Sequence, residues 1–468
     1  MTLIKLIFIS SFKFLYLMFA FVATQFFSFS VLANNLAAES TNMQAPCLDL
    51  YQSSFKLIAG KSHRTFTLPN KPVKNVPEID SSFHTCRVRV TNFKSEPPKG
   101  FIRNDYSRRQ PFNSDDSFLL TYAKNGYWHL YKTDNNEYYK RLNLGGGSVE
   151  PQWHPNKPNI LFTLPNNGGL KMSAYDINRD RHDVIADFTD VNSIKGYKNS
   201  KSIHDIWPNA ARVSTKNEGS PSKDARYWAF QVETSNFKSL GLITYDLQEN
   251  IIMGVFDFLL DGNGIGGADH ISMSPSGKFV VPSWHIPNNC PSEYSIGNTD
   301  EPCGLMVYTA DFKKGFGITS RGPHSDIALN KNGNDVLVIS NYITGYVEMY
   351  DLVTHEKTNL FSIYLDGSAT AMHISGKAYN KPGWVLVSTY GTKKAPKWWS
   401  DKIFAVQLAK NPIIYNISHT YNTATEYWSE PHGVVNRDFT KIIFNSNWLN
   451  PDGDNEIYMI ELPENAIN

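Results

Sequence analysis

Apolar positions in this chain come in short bursts, alternating or continuous over about four to eight residues, and apolar residues at helical spacing are scarce. Gly, Pro, Asn, Asp and Ser bound the bursts, which is the pattern of strands and tight turns. The clearest unit runs from Gly267 to Val281: a strand ending at Ser274, a Pro-Ser-Gly turn, and a second apolar strand from Phe279. Pro275 presets φ at the first turn position and Gly277 tolerates the strained one. Degenerate copies begin at Asn113, His154, Ser222, Asn330 and Asn436, with a looser one through Asn380. Self-similarity at about 40–50 residues per unit is the signature of a propeller or solenoid. A second element keeps the same period, a strand closing on Tyr175-Asp176, Tyr245-Asp246 or Tyr350-Asp351, with a last relative around Tyr458. Two strands, a third ending in this motif and a fourth leading onward make one blade. The pattern therefore predicts an all-β chain, a seven-bladed β-propeller of four-stranded antiparallel blades whose ring closure protects the sheet edges.

The N-terminus departs from this pattern. An apolar run broken by Lys5 and Lys13 ends at Val31-Leu32-Ala33, which predicts a secretory signal over residues 1–33, with a retained anchor as the alternative. Residues 34–100 read as an irregular segment packed on the ring, and 101–468 as the propeller. A strand over residues 84–91 is placed to complete a blade. A net charge of +1 gives no electrostatic case for nucleic acid. Four cysteines in an exported chain favour disulfides, and proximity pairs Cys47 with Cys86 and Cys290 with Cys303. The expected protein is secreted or periplasmic, monomeric, and free of the membrane after cleavage.

Candidate chemistry follows from the blade register. Four residues before the one that precedes each turn stand Arg109, Glu150, Glu218, His270, Asp326 and His432. His324 lies two residues further back in its blade, and His373 takes a similar place in the sixth. Turns lie at one end of the ring, so these groups converge at the other, together with the loops holding Asn166, Trp284, Lys393–Trp399 and Asn445–Trp448. Imidazoles mixed with carboxylates suit a divalent metal, Zn²⁺ or Mn²⁺, with His270, His324 and His432 as ligands. His285 with Cys290 is a rival zinc pair if Cys290 is free. The connection from Thr189 to Gly219, with Tyr197, His204 and Arg212, is long enough to be functional. His182 and His355 fall in turns on the far face, and Asn416-Ile417-Ser418 reads as a glycosylation sequon.

The segments Glu150–Pro158 and Glu430-Pro431-His432, with Phe444-Asn445-Ser446-Asn447-Trp448, resemble the seven-bladed propeller polysaccharide lyases, which include oligogalacturonate lyases and the ulvan lyases of marine bacteria. The resemblance implies β-elimination at a uronic acid in an anionic polysaccharide, ulvan above all. By likeness to the paired histidines of ulvan lyases it implies His129 and His154 as base and acid. His204 and Tyr197 are the second choice, and Arg212 is the group that neutralises the carboxylate. The competing expectation is a non-catalytic propeller that binds glycan or protein partners at the same surface.

Overall fold

The computed structural model describes residues 46–468 except 64–67, 263, 285–301, 394, 425–426 and 451–452. Seven sheets, four of four strands and three of five, form a seven-bladed β-propeller with only three short 3₁₀ turns among the described residues. Blades 1 to 7 begin on Ile102–Arg103, Gln152–Trp153, Ala210–Ser214, His270–Met273, Ser325–Leu329, Ala369–Ser375 and Val434–Val435. From these first strands each blade runs outward in chain order through antiparallel neighbours, apart from the outermost strands that blades 3, 6 and 7 take from elsewhere in the chain, the one in blade 3 pairing parallel. The apolar core lies between blades, as where Phe361 and Ile363 of blade 5 meet Met372 and Val387 of blade 6.

Both sequence elements have a physical job. The residue before each turn anchors it: Asn113 Oδ1 accepts from Phe118 N at 2.9 Å, Ser222 Oγ from Tyr227 N at 3.0 Å, and Ser274 Oγ from Phe279 N at 3.1 Å. Asn330 and Asn436 do the same in blades 5 and 7. The Tyr-Asp pairs end third strands. Tyr175, Tyr245 and Tyr350 are buried, while Asp176, Asp246 and Asp351 each accept from the two backbone N–H groups that open the next turn. In blade 7 the bond from Leu462 N to Thr440 O matches that from Leu352 N to Asp335 O in blade 5. The equivalent triplet there is Ile460-Glu461-Leu462, two residues beyond Tyr458.

Blade 7 has no fourth strand after Leu462. Cys86–Arg89 supplies it, pairing antiparallel with Glu456–Glu461 with Cys86 opposite Glu461. This is the strand expected over residues 84–91. Glu78–Ile79 adds a fifth strand to the same blade and Ile58–Ala59 a fifth to blade 6. Thus part of the 34–100 segment is woven into the ring. Buried Arg87 joins Asp80 and Glu78, each at 2.6 Å, and its guanidinium lies 4.9 Å from the rings of both Tyr421 and Trp448. The Cys47–Cys86 disulfide forms as proximity suggested. Cys303 is also disulfide-bonded, while Cys290 and His285 lie outside the described residues, as does the segment 1–33 expected to be a signal. Among the described residues no helix is long and apolar enough to cross a membrane.

The long connection from Thr189 to Gly219 is not structureless. Ser193–Ile194 pairs parallel with blade 3's outer strand, Ile203–Asp205 is a 3₁₀ turn capped by Ser202, and Ala210–Ser214 is the blade's first strand.

The Cys47–Cys86 crosslink spans 39 residues and ties down the strand that closes the ring. Replacing both cysteines with alanine is expected to cost about 2–4 kcal/mol, read from the midpoint of urea unfolding. An unchanged midpoint would mean that strand pairing alone holds the closure.

Candidate functional site

The six residues four places before the turn anchors divide into three groups. Arg109, Glu150 and Asp326 fasten neighbouring blades. The Arg109 guanidinium donates to Asp105 at 2.9 Å, to Pro151 O at 2.7 Å and to Asn217 O. Glu150 accepts from Thr215 N at 2.7 Å and Asn217 N at 2.8 Å. Asp326 accepts from Gly376 N at 2.7 Å and pairs with the buried Lys377 ammonium at 2.9 Å. Buried charges need such partners, and these three use theirs up.

His432 belongs to the second group. Its ring stacks on His373 with centroids 4.2 Å apart, and His373 stacks in turn on His324 at 4.6 Å. Tyr106 lies 5.1 Å from His432 and 5.4 Å from His373, and Tyr390 lies 5.1 Å from His373. The three histidines come from blades 5, 6 and 7. His373 sits in Ala369–Ser375, opposite Ser388, and His324 directly precedes Ser325–Leu329. His432 stands two residues before Val434–Val435 with φ of 40°, in the left-handed region. Glu430 Oε2 is 2.6 Å from His373 Nε2, so the two share a proton. His324 Nδ1 donates to Met372 O at 2.6 Å and His432 Nε2 to Tyr427 O at 3.2 Å.

Burial decides the charges here. It pushes His373 well below the ordinary imidazole range and His432 down to about 3, with neighbouring His and Arg charges acting the same way. It also pushes the Glu430 carboxyl up to about 7. The His373 and His432 imidazoles are therefore neutral and free to act as ligands. His373 Nδ1 and His432 Nδ1 are buried without hydrogen-bond partners. One donor atom from each of His373, Glu430 and His432 lies within 4.8 Å of the others. Neutral imidazoles, a carboxylate and orphaned nitrogens fit a divalent cation.

His270 lies in a different group. Its Nδ1 is 3.2 Å from Asp269 Oδ2, and together with Glu218 these residues offer a second set of atoms within 4.8 Å of one another. Glu218 is held by side chains: Arg108 Nη1 at 3.2 Å and the Tyr427 hydroxyl, which donates at 2.8 Å. Of the proposed ligand trio, His324 and His432 thus flank His373, and His270 sides with Glu218 and Asp269. Glu150 and Asp326, expected beside the histidines, serve the blade junctions.

The remaining candidates have local partners. His129 is buried in Trp128–Lys132, where its Nε2 donates to Asn125 Oδ1 and its Nδ1 accepts from the Tyr138 hydroxyl, both at 3.1 Å. Burial, and the Arg141 charge after it, lower its pKa to about 4. His154 Nδ1 accepts from Asn156 N and Lys157 N at 3.1 Å each, the turn-anchoring role of Asn or Ser elsewhere. His204 Nε2 donates to Ala210 O at 3.0 Å, and Tyr197, about a third exposed, closes a turn with Ile194. The Arg212 guanidinium lies 3.6 Å from the Phe237 ring centroid. None of these contacts reaches the histidine stack. Asn416, in the sequon, is fully buried and donates to Ile58 O and Gly60 O, which leaves no room for a glycan. Sequence reading passed over Tyr106, Arg108, Tyr427 and Glu430. Only Glu430 carried a signal, two residues before His432.

No family model matches the chain, and no curated protein matches its sequence. Solved structures do. An oligogalacturonate lyase in complex with manganese superposes with a TM-score of 0.56 at 13% identity, covering 85% of this chain and 98% of that one. An oligogalacturonate lyase from Vibrio parahaemolyticus gives 0.54 at 11%, over 84% and 97%. At these identities the likeness is one of fold.

The raised Glu430 carboxyl makes a signed prediction for the metal-free protein. An acid whose folded pKa is about 7, against 4.5 unfolded, stabilises the fold fully below pH 4.5 and loses that contribution as pH rises through 7. Against a Glu430→Gln control, wild-type stability should therefore fall between about pH 4.5 and 7 and level off above, read by urea unfolding across pH. A flat difference would show that Glu430 ionises normally.

Proposed function

We propose that this protein is a polysaccharide lyase that breaks a uronate-containing polysaccharide by β-elimination, with a divalent cation held by His373, Glu430 and His432 beside His324. The observation that carries this reading is the stack of three histidines with Glu430, in which burial holds His373 and His432 neutral and each of these two keeps an orphaned imidazole nitrogen. The two oligogalacturonate lyases of the same fold support it, and the manganese complex of one favours manganese over zinc. A donor set of imidazole and carboxylate without thiolate agrees with that choice. The Cys47–Cys86 disulfide supports an exported protein, which suits a polymer too large to enter a cell.

In β-elimination a base removes the C5 proton of the uronate, the electron pair forms the C4–C5 double bond, and the C4–oxygen bond breaks as the leaving oxygen is protonated. A bound cation would polarise the uronate carboxylate and acidify the C5 proton. His270 is the base in this reading. Burial lowers its pKa, so that it waits unprotonated, and Asp269 at 3.2 Å favours the imidazolium once the proton arrives. Tyr106, held protonated by burial and in contact with His373 and His432, is the proton donor to the leaving oxygen. The stack keeps its own imidazoles neutral and so available as ligands.

Pectic oligosaccharides and ulvan are the first substrates to offer, and the conjugated product is followed by its ultraviolet absorbance. His373→Ala and His270→Ala are each expected to cut the rate by about 10² or more. Stripping the metal with a chelator should abolish turnover, and Mn²⁺ should restore it. The parallel variants His129→Ala, His154→Ala, His204→Ala and Arg212→Ala measure the alternatives drawn from sequence on the same scale. Glycan binding with no new absorbance on any uronate polymer would favour a non-catalytic binding propeller.

A further inference from the structure

We infer that Glu218 is a resident carboxylate occupying the place of a substrate carboxylate, so that Arg108 and the Tyr427 hydroxyl form a uronate receptor that Glu218 must vacate. The inference rests on the lyase reading for the identity of the ligand. Its geometry stands on three observations.

The first is Arg108 itself. Its side chain is 4% exposed, and its Nη2 donates to the Tyr106 hydroxyl at 3.1 Å. Its Nε and Nη1 are buried without a hydrogen-bond partner, although Nη1 lies 3.2 Å from Glu218 Oε2. That ion pair is close but not aligned as a hydrogen bond. The neighbouring Arg109 shows the contrast, with Nε, Nη1 and Nη2 all donating to fixed acceptors of the scaffold. A guanidinium has five N–H donors, and leaving some unmet in a buried place is costly unless an acceptor arrives.

The second is how Glu218 is held. Glu150, with a structural role, has both oxygens on backbone N–H groups. Glu218 is held by two side chains, Arg108 and Tyr427, and is itself a quarter exposed. Nothing in those bonds ties it to the scaffold. The third is its surroundings. Glu218 shares a small cluster with Asp269 and His270, so its negative charge sits against another carboxylate.

A uronate presents the same two oxygens to the same two donors. Exchanging one carboxylate for another keeps Arg108 and Tyr427 paired in both states, and the bare buried guanidinium is never populated. A neutral sugar offers no such exchange and leaves Glu218 in place. The receptor therefore selects for acidic sugars, and Glu218 lowers the affinity of those that enter.

The test is calorimetric titration of the full chain with digalacturonate and, as neutral comparison, galactobiose. Glu218→Gln is expected to bind digalacturonate roughly fivefold tighter, since the competing charge is gone. Arg108→Gln should bind it about tenfold more weakly, and galactobiose should respond to neither change. If Arg108→Gln fails to fold, Tyr427→Phe, expected to weaken binding about threefold, replaces it. Unchanged or weaker digalacturonate binding by Glu218→Gln overturns the inference, as does an absence of digalacturonate binding by both wild type and Glu218→Gln. In the cleavage assay Glu218→Gln should lower KM. A loss of about 10² in kcat at constant KM would make Glu218 a proton-transfer group, overturning the inference but not the lyase reading. The expected binding pattern without any cleavage would sink the lyase reading and leave the receptor standing.

Discussion

The pairing of Cys86–Arg89 with Glu456–Glu461 is the interaction on which the rest depends. A lone blade exposes strand edges and half of an apolar face, and becomes stable only when both faces are covered by neighbours. Blades 1 and 7 meet at the seam, where Asn104 and Asn445 exchange hydrogen bonds and Asn104 donates to His432 O, and the strand from the first part of the chain completes blade 7 beside them. The seam is accordingly reinforced by the Cys47–Cys86 disulfide, by Arg87 between Asp80 and Glu78, and by its stacking on Tyr421 and Trp448. Closure also makes the site, because His324, His373 and His432 lie on three blades and Tyr106 and Arg108 on the far side of the seam. Opening the ring would scatter groups that now stand within contact of one another.

The inner ends of the blades serve two purposes with one register. Each first strand brings a residue toward the axis where backbone and side-chain charge are crowded and water is limited. Where that residue can find fixed partners on the next blade it becomes a fastener, as Glu150 and Asp326 do with backbone N–H groups of blades 3 and 6. Where it cannot, the ionisable group must change its protonation to remain buried. This is the state of His373 and His432, kept neutral, and of Glu430, which retains its proton to near neutrality. The same desolvation that would be a liability in a core yields free imidazole lone pairs here, which is what a cation needs.

The chemistry proposed for the site uses this contrast. The stacked imidazoles come from blades 5 to 7, and Arg108, Glu218 and Asp269 come from blades 1, 3 and 4. An anionic oligosaccharide lying between them would meet Arg108 with one carboxylate and the stacked histidines with another. Exposed aromatic surface at Tyr427 and Trp428, half of the latter open to solvent, continues from this point outward. A cation–π contact at 4.1 Å from the buried Arg103 backs the Trp428 ring.

Much of this could be read from the chain because strand alternation and turn chemistry are local. The anchor residue before each turn, the Tyr-Asp end of third strands and the strand at Cys86–Arg89 follow from side chains acting on backbone within a few residues. The ring and the Cys47–Cys86 bond are among the consequences. The register also picked out His324, His373 and His432. What it could not show is how a shared position is used, since that depends on the next blade. Arg109 and Glu150 look like mouth residues in sequence and are fasteners in space. His154 looks like a paired catalytic histidine and anchors a turn, as Asn113 and Ser274 do. Tyr106 and Arg108 lie outside the repeat, in a segment without periodicity, and only the closed ring brings them to the histidines, whereas Tyr427 reaches His432 locally, five residues before it. Local hydrogen bonding is written residue by residue, whereas a site built from several blades exists only when long-range pairing has fixed their relative positions.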